Sequence, residues 1–457
     1  WHYWRSKKSK TPVPVLNIFP QVTIQLPVFN EKYVVERLID SISKLDYPKD
    51  KMEIQVLDDS TDETIDLIVK KVEEFSALGF DIQQIRRKDR EGFKAGALKY
   101  GMGLAKGEFL AVFDADFLPK KDFLKKTIAY FEDANIGVVQ SRWGHVNQDY
   151  SILTRLQAFG LDAHFTIEQT GRSHAGSFIN FNGTAGVWRK SCIADAGGWS
   201  ADTLTEDLDL SYRAQLKGWK FKFLEDVVAP AELPVIMPAI KSQQYRWNKG
   251  AAETARKNLG NVLASDIGLT HKIHAVLHLF NSSVFLMLLT SAILSIPMLF
   301  IKVSHPELNM LFNMGSIFLI GFFSIGLFYW TSSKAVNNNK SGMYFIKNFP
   351  AFLTFSMGLS LHNAIAVSEG LLGYKTPFIR TPKFNIFKKD DQWQNNEYYR
   401  PKISTATVLE GLLCLYFISG IIAGFVLKDY GLVVFHIMLA LGFGGIFVHS
   451  IKPMSNA

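Results

Sequence analysis

The chain has 457 residues, 48% of them hydrophobic, with 50 Lys and Arg against 42 Asp and Glu for a net charge of +8. That length exceeds one average domain, and two cysteines in separate regions, Cys192 and Cys414, exclude a disulfide framework and fit a reducing, cytosol-facing domain. The positive charge carries no RNP-type signature, Cys/His finger or basic helix, so nucleic acid is not expected as a partner; attraction to anionic lipid explains it better.

Residues 1–20 begin WHYWRSKKSK, aromatics followed by a basic cluster, the order expected where a helix leaves a membrane on its cytoplasmic side. This basic juxtamembrane segment holds no cleavable signal peptide. It does not begin with Met, which leaves room for upstream sequence, a further spanning helix included.

From residue 21 short apolar runs alternate with amphipathic stretches: VTIQL (22–26), IQVL (54–57), DIQQI (81–85) and FLAVF (109–113), separated by helical patterns such as ETIDLIVKKVEEF. That alternation predicts a parallel α/β sheet built from βαβ units. Ligands of such sheets bind beyond the carboxyl ends of the strands. There the chain carries PVFNE (27–31), DDS (58–60) and DAD (114–116), so three acidic clusters converge on one edge.

Crowded carboxylates repel one another unless a positive charge neutralises them. Asp114 and Asp116, two apart on a turn after a buried strand, suit a hard cation whose other positions are filled by phosphate oxygens and water. Mg²⁺ or Mn²⁺ bridging a diphosphate is the expectation. A lone D-x-D would be a solvated turn; the neighbouring clusters decide against that. In REGFKAGAL, Gly92 lets the backbone turn and Lys94 can aim its ammonium at a phosphate. GMGLAKG (101–107) has the wrong spacing for a dinucleotide fingerprint and does not directly follow a strand, so a nicotinamide site is rejected.

In TEDLDLSYRAQLKGW, Thr205 is the expected N-cap, with Glu206, Asp207 and Asp209 in the first helical turn, where the helix dipole favours negative charge. If the first site holds a diphosphate-activated group, a separate carboxylate must take the proton of the incoming nucleophile. Asp207 is chosen as that base. In QQYRW (243–247), Gln243, Arg246 and Trp247 share one helical face, offering an amide, a fixed cation and a flat ring.

In that order, PVFNE, VLDDST, the DAD of VFDADF, FNGTAGVWR, TED and QxxRW resemble a family 2 membrane glycosyltransferase of the cellulose synthase and hyaluronan synthase group. Residues 22–250 are most similar to the cellulose synthase-like mannan and glucan synthases, notably in QVLDDSTD, GFKAGAL, DAHFTIEQ and LKGWKF. The resemblance implies a GT-A type domain. It implies Glu31, Asp58 and Asp59 towards the nucleoside, Lys94 towards the diphosphate, and Asp114 and Asp116 at the metal. It further implies Asp207 as base, with Gln243, Arg246 and Trp247 over the diphosphate and the acceptor sugar. Val28 departs from the polar residue several relatives carry there. Asn182, Gly183 and Thr184 form an N-glycosylation sequon; in a cytosolic domain we read them as acceptor floor.

The cytosolic domain is expected over 21–270 and the membrane part over 271–457. Apolar runs near 276–300, 311–331, 405–427 and 431–451 are long enough to span. The run 348–373 has Lys334, Lys340 and Lys347 before it and Lys375, Arg380, Lys383, Lys388 and Lys389 after it, so it should be re-entrant or interfacial. In the following segment, 376–402, FIRTPK is similar to the gating loop of cellulose synthases, with Phe378, Thr381 and Lys383 matching and Arg380 in place of Val. The implied role is a lid that excludes water. His271, His274 and His278 lie at helical spacing and are read as interfacial polar residues rather than a metal site.

The expected activity is inverting, metal-dependent transfer of a hexose from a nucleotide sugar, UDP-glucose or GDP-mannose, to a growing β-mannan, glucomannan or β-glucan. It is expected to be processive, coupled to passage through the bilayer of the inner or plasma membrane, with catalysis on the cytoplasmic side. The rivals are a non-processive transferase acting on a lipid acceptor and a catalytically silent nucleotide-sugar sensor.

Overall fold

The first four strands, β1 (Val22–Val28), β2 (Met52–Asp58), β3 (Asp81–Ile85) and β4 (Phe109–Val112), pair in parallel. Every position of β2 and β4 is buried, as a strand covered on both faces requires. The computed structural model describes residues 1–8, 14–337, 341–394 and 403–452. Residues 9–13 of the basic segment, Lys340 of the charged flank and residues 395–402 of the lid-like segment lie outside the described residues.

With β5 (Ile136–His145), β6 (Gly186–Arg189) and β7 (Lys220–Ala231) the sheet has seven strands in the order β3-β2-β1-β4-β6-β5-β7. It is mixed rather than parallel, because β6 runs antiparallel between β4 and β5. The reason lies in the turn before it. Gly183 and Ala185 both have positive φ, 78° and 53°, and reverse the chain beside the end of β4, so Gly186 pairs with Val112.

Helices cover both faces. Val35–Ile42 and Thr64–Ala77 bury Val35, Leu38, Ile39, Ile68 and Phe75 against one side. Phe93–Leu104 and Glu206–Leu216 bury Ala97, Leu98, Leu210 and Ala214 against the other, around the fully buried Trp188. A helix of 28 residues, Met237–Ala264, opens with Pro238 in its first turn and leads from the sheet to the apolar part of the chain.

Among the described residues four helices are long and apolar enough to cross a membrane: Asn281–Ser304, Pro306–Asn337, Thr405–Val426 and Val433–Ile451. The stretch around 348–373 is a pair of helices, Ser341–Gly358 and Ser360–Leu372, meeting at 52°. The bend falls beside Gly358, where a Cβ would lie 2.3 Å from the carbonyl oxygen of Gly442. Two backbones therefore touch at a point that only glycine allows. His278 Nδ1 lies 2.8 Å from the hydroxyl of the fully buried Tyr212, and burial pushes the His278 pKa down to about 3.

Candidate active site

The carboxyl ends of β1, β2 and β4 open into one cleft, roofed by the segment 374–387, which forms neither helix nor strand. Glu31, Asp59, Lys94, Asp114, Asp116, Asn182, Gly183, Glu206, Asp207, Gln243, Arg246, Trp247, Phe378, Thr381 and Lys383 all line it. Three of the residues singled out in the sequence do not.

Asp58 is 1% exposed and accepts hydrogen bonds from the Ser60 N–H at 2.9 Å and Gln84 Nε2 at 2.8 Å. Successive side chains of a strand point to opposite faces, so Asp58 serves the turn while Asp59 faces the cleft, held by both Nε and a terminal nitrogen of Arg87. Gly92 is a left-handed residue (φ 68°) that starts the helix carrying Lys94, and it shapes the turn without lining the cleft. Thr184 lies beneath the floor, its Oγ1 accepting the Asp114 N–H at 2.9 Å.

Lys94 Nζ reaches Asp114 Oδ1 at 2.5 Å and the Gly183 carbonyl at 2.9 Å. Burial alone would lower its pKa, but Asp114 and Glu206 outweigh that and hold it above its usual value, so it stays charged. Asp116 pairs with Lys383 of the roof at 2.7 Å. Both carboxylates are thus neutralised by flexible ammonium groups. Among the described residues no group of three or more His, Cys, Asp or Glu is arranged to hold a metal. The protein would offer a hard cation two carboxylates on one turn, leaving the remaining positions to phosphate and water, a donor set that fits Mg²⁺ or Mn²⁺.

Asp207 sits in the first turn of Glu206–Leu216. Thr205 occupies the N-cap position but its side chain does not cap, because its hydroxyl is turned to Thr254 Oγ1 at 3.2 Å. A Cβ at Gly183 would come within 2.9 Å of Asp207 Oδ2, so that glycine leaves room for the carboxylate. Burial first, and the adjacent Glu206 second, push the Asp207 pKa far above the usual carboxylate range, to about 7. A carboxyl poised there can take up a proton near neutrality.

The long helix brings Gln243, Arg246 and Trp247 to the cleft together, as their spacing predicts. An Arg246 terminal nitrogen donates to Thr381 Oγ1 at 3.0 Å, and the guanidinium lies 4.9 Å from the Phe378 ring centre. Phe378 in turn stacks on Phe93 at 5.4 Å. Behind Trp247 stands Trp143, 6.3 Å away, itself packed on Phe165 at 4.9 Å.

Several cleft residues escaped the sequence reading. Trp143, His145 and Glu232 enter at or beside the carboxyl ends of β5 and β7, and the strand-end rule applied to those two strands would have found them. Arg380, noted as a flanking positive charge and as a departure from a motif, places NH1 2.7 Å from the buried Glu31 carboxylate. Burial still pushes the Glu31 pKa up to about 7 against the pull of Arg380 and Lys383.

The model of the family described as "Glycosyltransferase like family 2" matches residues 20–250, just over half of the chain. The chain belongs to glycosyltransferase family 2. Its relatives include glucomannan 4-beta-mannosyltransferase 1 of Oryza sativa subsp. japonica, 44% identical over 268 residues that cover 57% of this chain and 51% of the relative. Glucomannan 4-beta-mannosyltransferase 9 of Arabidopsis thaliana is 42% identical over 268 residues, 57% of this chain and 50% of the relative. The chain spans about half the length of these relatives. A mannosyltransferase from Pyrobaculum calidifontis, solved in complex with GDP-Man and Mn²⁺, superposes with a TM-score of 0.53 at 18% identity, covering 82% of this chain and 94% of that one. The family 2 domain therefore has the expected GT-A type fold, on a mixed sheet.

Proposed function

We propose that this family 2 chain transfers a mannosyl group from GDP-mannose to the hydroxyl of a β-linked glycan with inversion at the anomeric carbon. The observation that carries the reading is the convergence in one cleft of a buried proton acceptor, Asp207, with the cations Lys94 and Arg246 and the carboxylates Asp114 and Asp116. The choice of mannose rests on the names of the relatives, and that of GDP on the neighbour solved with GDP-Man.

Asp207 takes the proton of the acceptor hydroxyl as that oxygen bonds to the anomeric carbon. The bond from that carbon to the phosphate oxygen breaks, its electron pair leaving with the nucleoside diphosphate. Lys94 and Arg246 stabilise the charge that develops there. When bound by Asp114 and Asp116, Mg²⁺ or Mn²⁺ supplies further positive charge to the diphosphate oxygens. With one base and no carboxylate assigned as nucleophile, a single displacement inverts the configuration. Asp59, Glu31 and Arg380 face the nucleoside end, and the 374–387 segment is the lid that keeps water from the donor.

The acceptor lies over Trp247, backed by Trp143. The bent helix pair packs on the long helix that carries Gln243, Arg246 and Trp247, and four candidate spans flank it in the chain, supporting processive synthesis with the glycan leaving through the bilayer. Lysines and arginines on both sides of the bent pair support a cytoplasmic side for the catalytic domain. The test is release of nucleoside diphosphate by the full chain with Mg²⁺ or Mn²⁺ across GDP-mannose, GDP-glucose, UDP-glucose and UDP-N-acetylglucosamine, followed by sizing of the product. Release from GDP-mannose with a long product is expected; a single added sugar ends the processive claim, and silence with every donor ends the reading.

A further inference from the structure

The stretch DAHFTIEQ, Asp162–Gln169, carries part of the family resemblance yet has no part in the chemistry above. Its last six residues, His164–Gln169, form a π-helical turn. In an α-helix, residues five apart point about 140° away from each other. Here His164 and Gln169 both reach Asn182: His164 Nε2 lies 3.3 Å from Asn182 Nδ2, and Gln169 Nε2 donates to Asn182 Oδ1 at 2.8 Å. The wider turn is what brings them to one target.

Behind His164, Glu168 Oε2 sits 2.8 Å from Nδ1, and Arg172 NH1 stands 3.7 Å from the other Glu168 oxygen. Arg172 is itself fixed by two bonds to the Phe178 carbonyl, at 2.9 and 2.6 Å. The carboxylate claims the Nδ1 proton and leaves Nε2 as an acceptor. That tautomer takes one N–H of the Asn182 amide, and Gln169 fills one lone pair of its oxygen. A carboxamide has two donors and two acceptor sites, so one of each remains, and Asn182 lines the cleft next to Gly183, against which Asp207 rests.

We infer that Glu168 and His164 are positioning residues that lock the Asn182 carboxamide so that its remaining donor and acceptor bind a hydroxyl of the acceptor sugar. The inference rests on the transferase reading for the identity of the ligand, a β-linked manno-oligosaccharide, and leaves donor binding untouched.

The test separates the two ring nitrogens of His164. In His164→Gln an amide oxygen can stand where Nε2 stood and still receive Asn182; in His164→Asn it falls at the Nδ1 position and that contact is lost. A soluble β-linked manno-oligosaccharide is titrated into the full chain in detergent by following tryptophan fluorescence, with GDP titrated in parallel. Asn182→Ala and His164→Asn should each weaken the oligosaccharide roughly five- to tenfold, the worth of one hydrogen bond. His164→Gln should stay within about threefold of the parent, and GDP affinity should hold throughout. Equal effects of Gln and Asn, a loss of GDP affinity in step, or no oligosaccharide binding by the parent chain would each overturn the inference. Nucleoside diphosphate release is read on the same preparations: a silent parent with the Gln/Asn discrimination intact removes the transferase reading and leaves the relay standing.

Discussion

The Lys383 ammonium lies 2.7 Å from Asp116 Oδ2, so a side chain of the roof segment 374–387 sits on one of the two carboxylates that could hold a divalent cation. Ammonium and cation compete for the same oxygen. Lys383→Met should therefore tighten Mn²⁺ binding to the donor-free chain by roughly three- to tenfold, the scale of removing one nearby like charge. The same change should raise the donor KM, since the lid loses a cation facing the phosphates. Free Mn²⁺ counted by electron paramagnetic resonance checks the first expectation, and weaker Mn²⁺ binding would contradict it.

Asp207→Asn should lower kcat by about 10²- to 10⁴-fold, the usual worth of a positioned base, with donor KM little changed. The base works deprotonated, and burial followed by Glu206 pushes its pKa to about 7. Activity should accordingly fall as pH drops through about 7. Glu206→Gln removes a neighbouring negative charge, which favours the ionised carboxylate and moves that acid limb to lower pH. A limb that stays in place would exclude Asp207 as its source.

Arg380 is the partner of a Glu31 carboxylate that is 8% exposed. Arg380→Val removes the ion-pair partner of that buried carboxylate and leaves it only the pull of Lys383, at a cost of about 3 kcal/mol, the lower end for a broken buried pair. The thermal midpoint should fall and donor hydrolysis without acceptor should rise as the lid loosens. Adding Glu31→Gln should restore most of the thermal midpoint. An unchanged midpoint in the single variant would show that the pair does not hold the lid.

Where the long helix meets the membrane part, Lys241 Nζ lies 2.6 Å from Glu410 Oε2, with the Glu410 side chain fully buried. Glu410→Ala strands a buried ammonium and should destabilise the chain by about 3 to 5 kcal/mol, whereas Lys241→Met with Glu410→Leu should be close to neutral. Thermal unfolding of both variants in detergent decides between them. If the single variant melts like the parent, the pair is not what sets the helix against the span Thr405–Val426.

Much of the working edge was legible as written. A carboxylate just past a buried strand can only emerge at that strand's end, and Asp59, Asp114 and Asp116 do line the cleft there. Helical spacing likewise brings Gln243, Arg246 and Trp247 to the cleft. Asp58 does not line it, because two adjacent carboxylates look alike in a string while the pleat sends them opposite ways. Thr205 holds the N-cap position, but its hydroxyl pairs with Thr254, 49 residues away, and leaves the helix without a side-chain cap.

What the chain's own order determined is local: where strands end, which side chains share a helical turn, which runs are long enough to span. Those follow from backbone geometry that repeats over a few residues. What only the tertiary structure decided is pairing across long separations: Arg380 on Glu31, Lys383 on Asp116, and the reversal of β6 within the sheet. Such contacts depend on which surfaces the packed helices and strands bring together, and no short-range period in the sequence records that.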